Sequence, residues 1–172
     1  MILEHFLLSI NETNCYILAC TETRQAALID PGEWNDPVAQ FLQQQELTLR
    51  WILLTHGHGD HTGGVNLARS ATGATVAASK LNPEAVRKLS DGDSLELGNL
   101  NILVSEVPGH TQDSLAFAVG NELFCGDALF AGSVGGTPNV AAHAVLISSI
   151  RKKILVSAAN PSRRSGNWRA PK

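Results

Sequence analysis

The run Thr55-His56-Gly57-His58-Gly59-Asp60-His61 follows directly on the apolar stretch Trp51-Ile52-Leu53-Leu54. This junction constrains the fold more than any other part of the chain. The apolar stretch reads as a buried strand over Arg50 to Thr55. The fold must therefore end a buried strand in a loop that carries three of the chain's six histidines. Two glycines let that loop turn tightly and bring side chains to one point. His56 and His58 are two apart, so extended backbone puts both rings on one side. Asp60 and His61 fall where the chain begins to turn into a helix. Neutral imidazole and carboxylate are ligands suited to zinc, iron or manganese. Two such pairs can serve two adjacent cations, which in hydrolytic two-metal sites lie roughly 3.5–4 Å apart.

Four ligands are too few for two ions, and the chain offers more. Pro108-Gly109-His110-Thr111 presents a histidine just after a strand ending at Val107. Phe124-Cys125-Gly126-Asp127 presents a carboxylate just after another. Taken alone, His110 would be a surface residue and Asp127 a turn residue. Beside the histidine run both read as ligands on the rim of a sheet, where loops gather functional groups. Asp127 has two oxygens and is the best-placed bridge between two cations. His5, in the first strand, and His143, in a helix or its approach, are read as non-ligands.

The rest of the chain gives this rim a scaffold. Cys15 to Cys20 and Ala26 to Asp30 are apolar runs, the second stopped by Pro31-Gly32. Asp36 before Pro37 predicts a helix start, with the helix running to about Glu46. Val65 to Ala71 predicts a short helix closed by Gly73, and Thr75 to Ala78 a small strand. A weak helix is expected over Pro83 to Leu89. Strands are expected at Ser94 to Leu97, Asn101 to Val107, Leu115 to Val119 and Leu123 to Cys125. Apolar positions 142, 145, 146, 150 and 154 carry helical spacing over Ala141 to Leu155. No repeat or linker interrupts this order, which predicts one α/β domain over residues 1–156. Residues 157–172 lack periodicity and read as a disordered or atypical tail.

Composition excludes several classes. A chain of 172 residues with 44% hydrophobic and 17% charged residues has the make-up of a globular domain. A formal net charge of −3 gives no electrostatic ground for a nucleic-acid partner. The basic residues near the C-terminus, from Arg151 to Lys172, read as a solvated tail. No apolar run approaches the ~20 residues that span a bilayer, so no membrane role is expected. The N-terminus lacks the layout of a signal peptide. Three cysteines without CxxC spacing read as reduced core thiols of a cytoplasmic protein.

Taken together, the histidine run, Pro108-Gly109-His110-Thr111 and Gly126-Asp127 resemble the metallo-β-lactamase superfamily and its T-H-x-H-x-D-H signature. Asn14-Cys15-Tyr16, Ile29-Asp30-Pro31-Gly32 and the stretch from Asp127 to Gly136 look like its glyoxalase II (hydroxyacylglutathione hydrolase-like) branch. The resemblance covers roughly residues 5–155. It implies a four-layer αββα sandwich with mixed sheets. It also implies one cation on His56, His58 and His110, and a second on Asp60 and His61, with Asp127 bridging. Zn2+ is the expected metal, one or two ions, with iron or manganese as alternatives. The implied chemistry is hydrolysis of a small thioester or ester, such as S-lactoylglutathione, by metal-bound hydroxide. Asp60 and Asp127 are the implied catalytic residues.

The chain departs from that pattern at its C-terminal end. The family carries one more histidine there, within Pro-Gly-His, whereas no histidine follows His143. The second cation is expected to lack its last protein ligand. The expectation is an incomplete C-terminal part, its native segment replaced or diverged. Glyoxalase II proper also carries a helical C-terminal domain and basic residues that grip glutathione. Here Gly136-Thr137-Pro138 stands where basic residues are expected, and the chain ends before that domain. Two other readings follow. One is a persulfide dioxygenase-like oxidoreductase with a single iron on His56, His110 and Asp127. The other is a truncated metal-binding domain with little activity.

Overall fold

A computed structural model describes residues 1–155. The expected boundary after residue 156 and the expected tail at 157–172 lie outside those residues.

Six strands form one sheet: β1 (Ile2–Leu7), β2 (Asn14–Ala19), β3 (Gln25–Ile29), β4 (Thr48–Leu53), β5 (Thr75–Ser79) and β6 (Arg87–Leu89). They lie side by side in chain order. The first three are antiparallel neighbours and the last four are parallel. Four more strands form a second sheet: β7 (Ser94–Leu97), β8 (Leu100–Glu106), β9 (Leu115–Val119) and β10 (Glu122–Phe124). These are antiparallel throughout. A small hairpin, β11 (Leu129–Phe130) with β12 (Ser133–Val134), follows. The helices are α1 (Asp36–Gln44), α2 (Gly59–Thr62), α3 (Val65–Thr72) and α4 (Val140–Ser149), the last continuing into wider turns over Ile150–Leu155.

Alternation along the strands builds the layers. In β2, Cys15, Ile17 and Ala19 face one side, where Val38 and Leu42 of α1 and Val65 and Ala68 of α3 complete a core. Leu18 faces the other side with Ala27, Ile29 and Leu53, packing against Ile102, Val104, Leu115, Phe117 and Val119 of the second sheet. The outer face of that sheet meets Leu146, Ile150 and Ile154. The order is helix, sheet, sheet, helix, the four-layer arrangement expected from the resemblance. Burying each such Leu, Ile or Phe contributes about 1.5–3 kcal/mol.

Local expectations differ in places. The cap of α1 is Asn35, whose side chain accepts from the Val38 amide, not Asp36; Pro37 still occupies the first turn. The expected helix over Pro83 to Leu89 is absent: its end is β6, an edge strand paired with β5. Helix propensity loses there to backbone pairing and to Leu89, which is buried between the sheets. The helix α3 closes as expected at Gly73, whose φ of 72° is the left-handed cap that glycine adopts freely. The three cysteines are free thiols, two of them buried. Among the described residues no helix is long and apolar enough to cross a membrane.

Candidate metal centre

The parallel strands β3 and β4 end at the same edge, where an open sheet offers its loops to a ligand. Asp30 follows β3 and Thr55 follows β4. The loop beyond carries His56 and His58, and α2 carries Asp60 and His61. From the second sheet, His110 follows β8 and Asp127 follows β10. The Leu115 amide donates to the Thr55 carbonyl at 2.7 Å, tying β9 to the histidine loop.

The structure brings all six expected side chains into one cluster. His58 Nδ1 lies 3.0 Å from His56 Nε2 and 3.0 Å from His110 Nε2. His56, His58, His110 and Asp127 each present an atom within 4.8 Å of the others. A neutral imidazole nitrogen carries either one proton or one lone pair, so His58 Nδ1 cannot hydrogen-bond both neighbours. A shared cation satisfies all three. A tetrahedral ion with bonds of about 2.0–2.1 Å separates its nitrogens by roughly 3.3–3.4 Å, close to these spacings. The donor set fits a divalent metal.

Asp60 and His61 stand beside this group. His61 Nε2 is 3.2 Å from Asp127 Oδ1 and 3.9 Å from Asp60 Oδ2. Asp127 turns its other oxygen, Oδ2, toward His110 Nε2 at 3.6 Å. His5 and His143 are elsewhere: His5 bonds Asn14 and stacks on Tyr16, and His143 is exposed on α4.

The imidazoles are held from behind. Asp30 is 3% exposed and sits in left-handed backbone with φ of 52°. Its Oδ1 accepts from the Thr55 amide at 2.8 Å, and its Oδ2 from the Thr55 hydroxyl at 2.6 Å. Because that hydroxyl donates to Asp30, its oxygen accepts from His56 Nδ1–H at 3.1 Å. This fixes the His56 tautomer and leaves Nε2 with a free lone pair. Asp30 Oδ2 also accepts from His61 Nδ1 at 3.0 Å, and the Gly136 carbonyl from His110 Nδ1 at 2.6 Å. Gly126 makes the approach of the two sheets feasible. Its φ is 47°, and a Cβ there would lie 2.2 Å from Thr55 Oγ1.

Charge follows contact. Burial, reinforced by the nearby His61 charge, pushes His56 down to about 4. Burial also opposes charge on His61, but hydrogen bonds to Asp127 and Asp30 outweigh it and raise His61 to about 10. For Asp127 burial favours the neutral acid, yet the His61 hydrogen bond and the surrounding imidazoles hold its carboxyl below the ordinary range.

Asp30 and Thr55 act as supports that the sequence does not signal. Both lie within Ile29-Asp30-Pro31-Gly32 and the Thr55–His61 run, but nothing local shows that Asp30 reaches Thr55 and His61.

A four-layer α/β/β/α sandwich with histidines and aspartates clustered on one rim defines a divalent-metal protein. The metallo-beta-lactamase superfamily model matches residues 10–89. A hydroxyacylglutathione hydrolase of Albidiferax ferrireducens is 42% identical over 130 residues, covering 72% of this chain and 51% of that protein. The crystal structure of ETHE1 from Myxococcus xanthus superposes with a TM-score of 0.84 at 34% identity, covering 91% of this chain and 71% of that one. TTHA1623 in a di-iron-bound form gives 0.72 at 28% identity, covering 87% and 86%. The chain belongs to the metallo-beta-lactamase superfamily. It spans about half the length of the curated relatives it matches.

Proposed function

We propose that the chain is a metal-dependent hydrolase that cleaves a small thioester of the S-lactoylglutathione type, acting in the cytoplasm. One observation carries this reading: Asp127 directs one oxygen toward His110 and the other toward His61. A carboxylate so divided suits a bridge between two cations. His56, His58 and His110 would hold the first, through Nε2, Nδ1 and Nε2. His61 Nε2 and Asp60 would hold the second. Zinc is the favoured ion, with iron or manganese as alternatives. A divalent cation bound there would supply a water of pKa about 7 and polarise a carbonyl. Asp60 would orient that water, and Asp127 would span the two positions. Thr55 and Asp30 keep His56 in the tautomer that offers Nε2. Hydrolysis yields a carboxylate and a thiol. The names of the curated relatives support the thioester class.

A second reading keeps a single iron on His56, His110 and Asp127 and oxidises a persulfide. It is supported by the grouping of His56, His58, His110 and Asp127, whose ligand atoms lie within 4.8 Å of one another, a set sufficient for one ion. Metal analysis of protein purified without added metal, paired with a thioester assay, separates the two. Zinc with thioester turnover supports the hydrolase. One iron per chain with oxygen consumption on glutathione persulfide supports the dioxygenase. Metal without turnover on either supports a binding domain of little activity. A His58→Ala variant with full metal content and turnover overturns the ligand assignment.

A further inference from the structure

The loop between β1 and β2 reaches across to the metal centre and grips one ligand. Asn11 Nδ2 donates to Asp60 Oδ2 at 3.3 Å, and Thr13 Oγ1 donates to the same oxygen at 3.3 Å. Thr13 is 5% exposed, so its hydroxyl is a buried donor aimed at Asp60. The loop is itself fixed. The Leu8 amide bonds the Thr13 carbonyl and the Thr13 amide the Ile10 carbonyl. The Ile10 amide donates to Glu33 Oε1 at 2.9 Å. Asn11 and Glu12 take φ of 50° and 54°, left-handed backbone that side chains other than glycine seldom adopt. Asn tolerates it well, whereas Glu12 is held there at a cost. Gly32 lies beneath, where a Cβ would strike the Asp60 carbonyl oxygen and touch Ile10.

Resting on the two-cation reading above, we propose that Asn11 and Thr13 are positioning residues for the second cation. Their donors hold the Asp60 carboxylate through Oδ2, the oxygen that lies 3.9 Å from His61 Nε2, and so fix its orientation at the second position. A carboxylate fixed at one oxygen loses its rotational freedom before the metal arrives. Its binding then carries less ordering entropy, so the second position gains affinity. The loop reaches Asp60 and not His56, His58 or His110, so the effect is confined to that position.

The test is a cobalt(II) titration of the metal-free full chain, read by visible absorption and chelator competition. Asn11→Gly keeps the left-handed backbone and deletes the amide donor. Thr13→Val keeps the shape and deletes the hydroxyl; Thr13→Ser keeps the donor. The expected result is two equivalents in wild type. In the double variant the first equivalent is unchanged and the second weakened about 10- to 100-fold. Each single variant loses part of that affinity, and Thr13→Ser restores it. Wild-type affinity for both equivalents in the variants overturns the proposal, even if the thermal midpoint falls. Equal weakening of both equivalents, unrelieved by Thr13→Ser, overturns it too. A wild-type chain that takes up one equivalent overturns the two-cation reading first, and this inference with it.

Discussion

At the scale of residues, the centre depends on two histidines that sit in opposite electrostatic settings. His56 is neutral at pH 7 because burial depresses it to about 4. His61 is an imidazolium because Asp127 and Asp30 flank its two ring nitrogens and lift it to about 10. On the proposed assignment a cation and a proton would compete for the same nitrogen, so metal affinity at His61 should rise with pH. The sign for the metal-free fold is the reverse. A folded value above the ordinary 6.5 stabilises the chain below that pH, and the gain is lost as pH rises from 6.5 toward 10. Nitrogen NMR of metal-free protein should find both His61 ring nitrogens protonated from pH 5 to 9. Those of His56 should show a neutral ring over the same range. A neutral His61 at pH 7 would contradict the geometry. The ligand-type residues were legible because four of them crowd one short loop and the other two directly follow strands. Asp30 was not legible as a support. Its partners lie 25 and 31 residues away, and only folding shows that one carboxylate serves both.

At the scale of elements, most strands were readable from apolar runs and turn residues, and the misses have physical causes. The strand β4 skips Arg50 in its register with β3, so Leu49 and Ile52 face the same core despite their odd spacing. Such a bulge breaks the period of two on which a sequence reading relies. The segment before β6 carries helix-forming residues, but its end is claimed by the edge of β5. The turn from β10 to Asp127 is the most constrained connection. Gly126→Ala would place a methyl group against Thr55 in left-handed backbone. It should cost about 1–3 kcal/mol of stability and weaken metal binding together. Gly132→Ala is the control. It has similar backbone and nothing within 4 Å of its Cβ, so it should show the backbone cost alone. Urea midpoints and chelator competition on both variants check this. Equal losses in the two would rule out the Thr55 contact as the cause.

At the scale of the whole molecule, the layers were expected from the resemblance, whereas the partition into three cores emerges only from the packed chain. The centre lies where the two sheets meet. Four of its six side chains come from the first sheet's loops, and His110 and Asp127 from the second. A bound cation therefore pins one sheet to the other. At a free concentration 1,000 times its dissociation constant it stabilises by about 4 kcal/mol, or roughly 10 °C for a chain of this size. Calorimetry with and without chelator measures the difference, and an unchanged midpoint would count against a bridging site. The same division also orders events during synthesis. The histidine loop is synthesised before His110 and Asp127, and alone it is an open claw. Tight metal capture must wait for the later sheet to dock, so uptake of the ion marks the moment at which the nascent chain has closed.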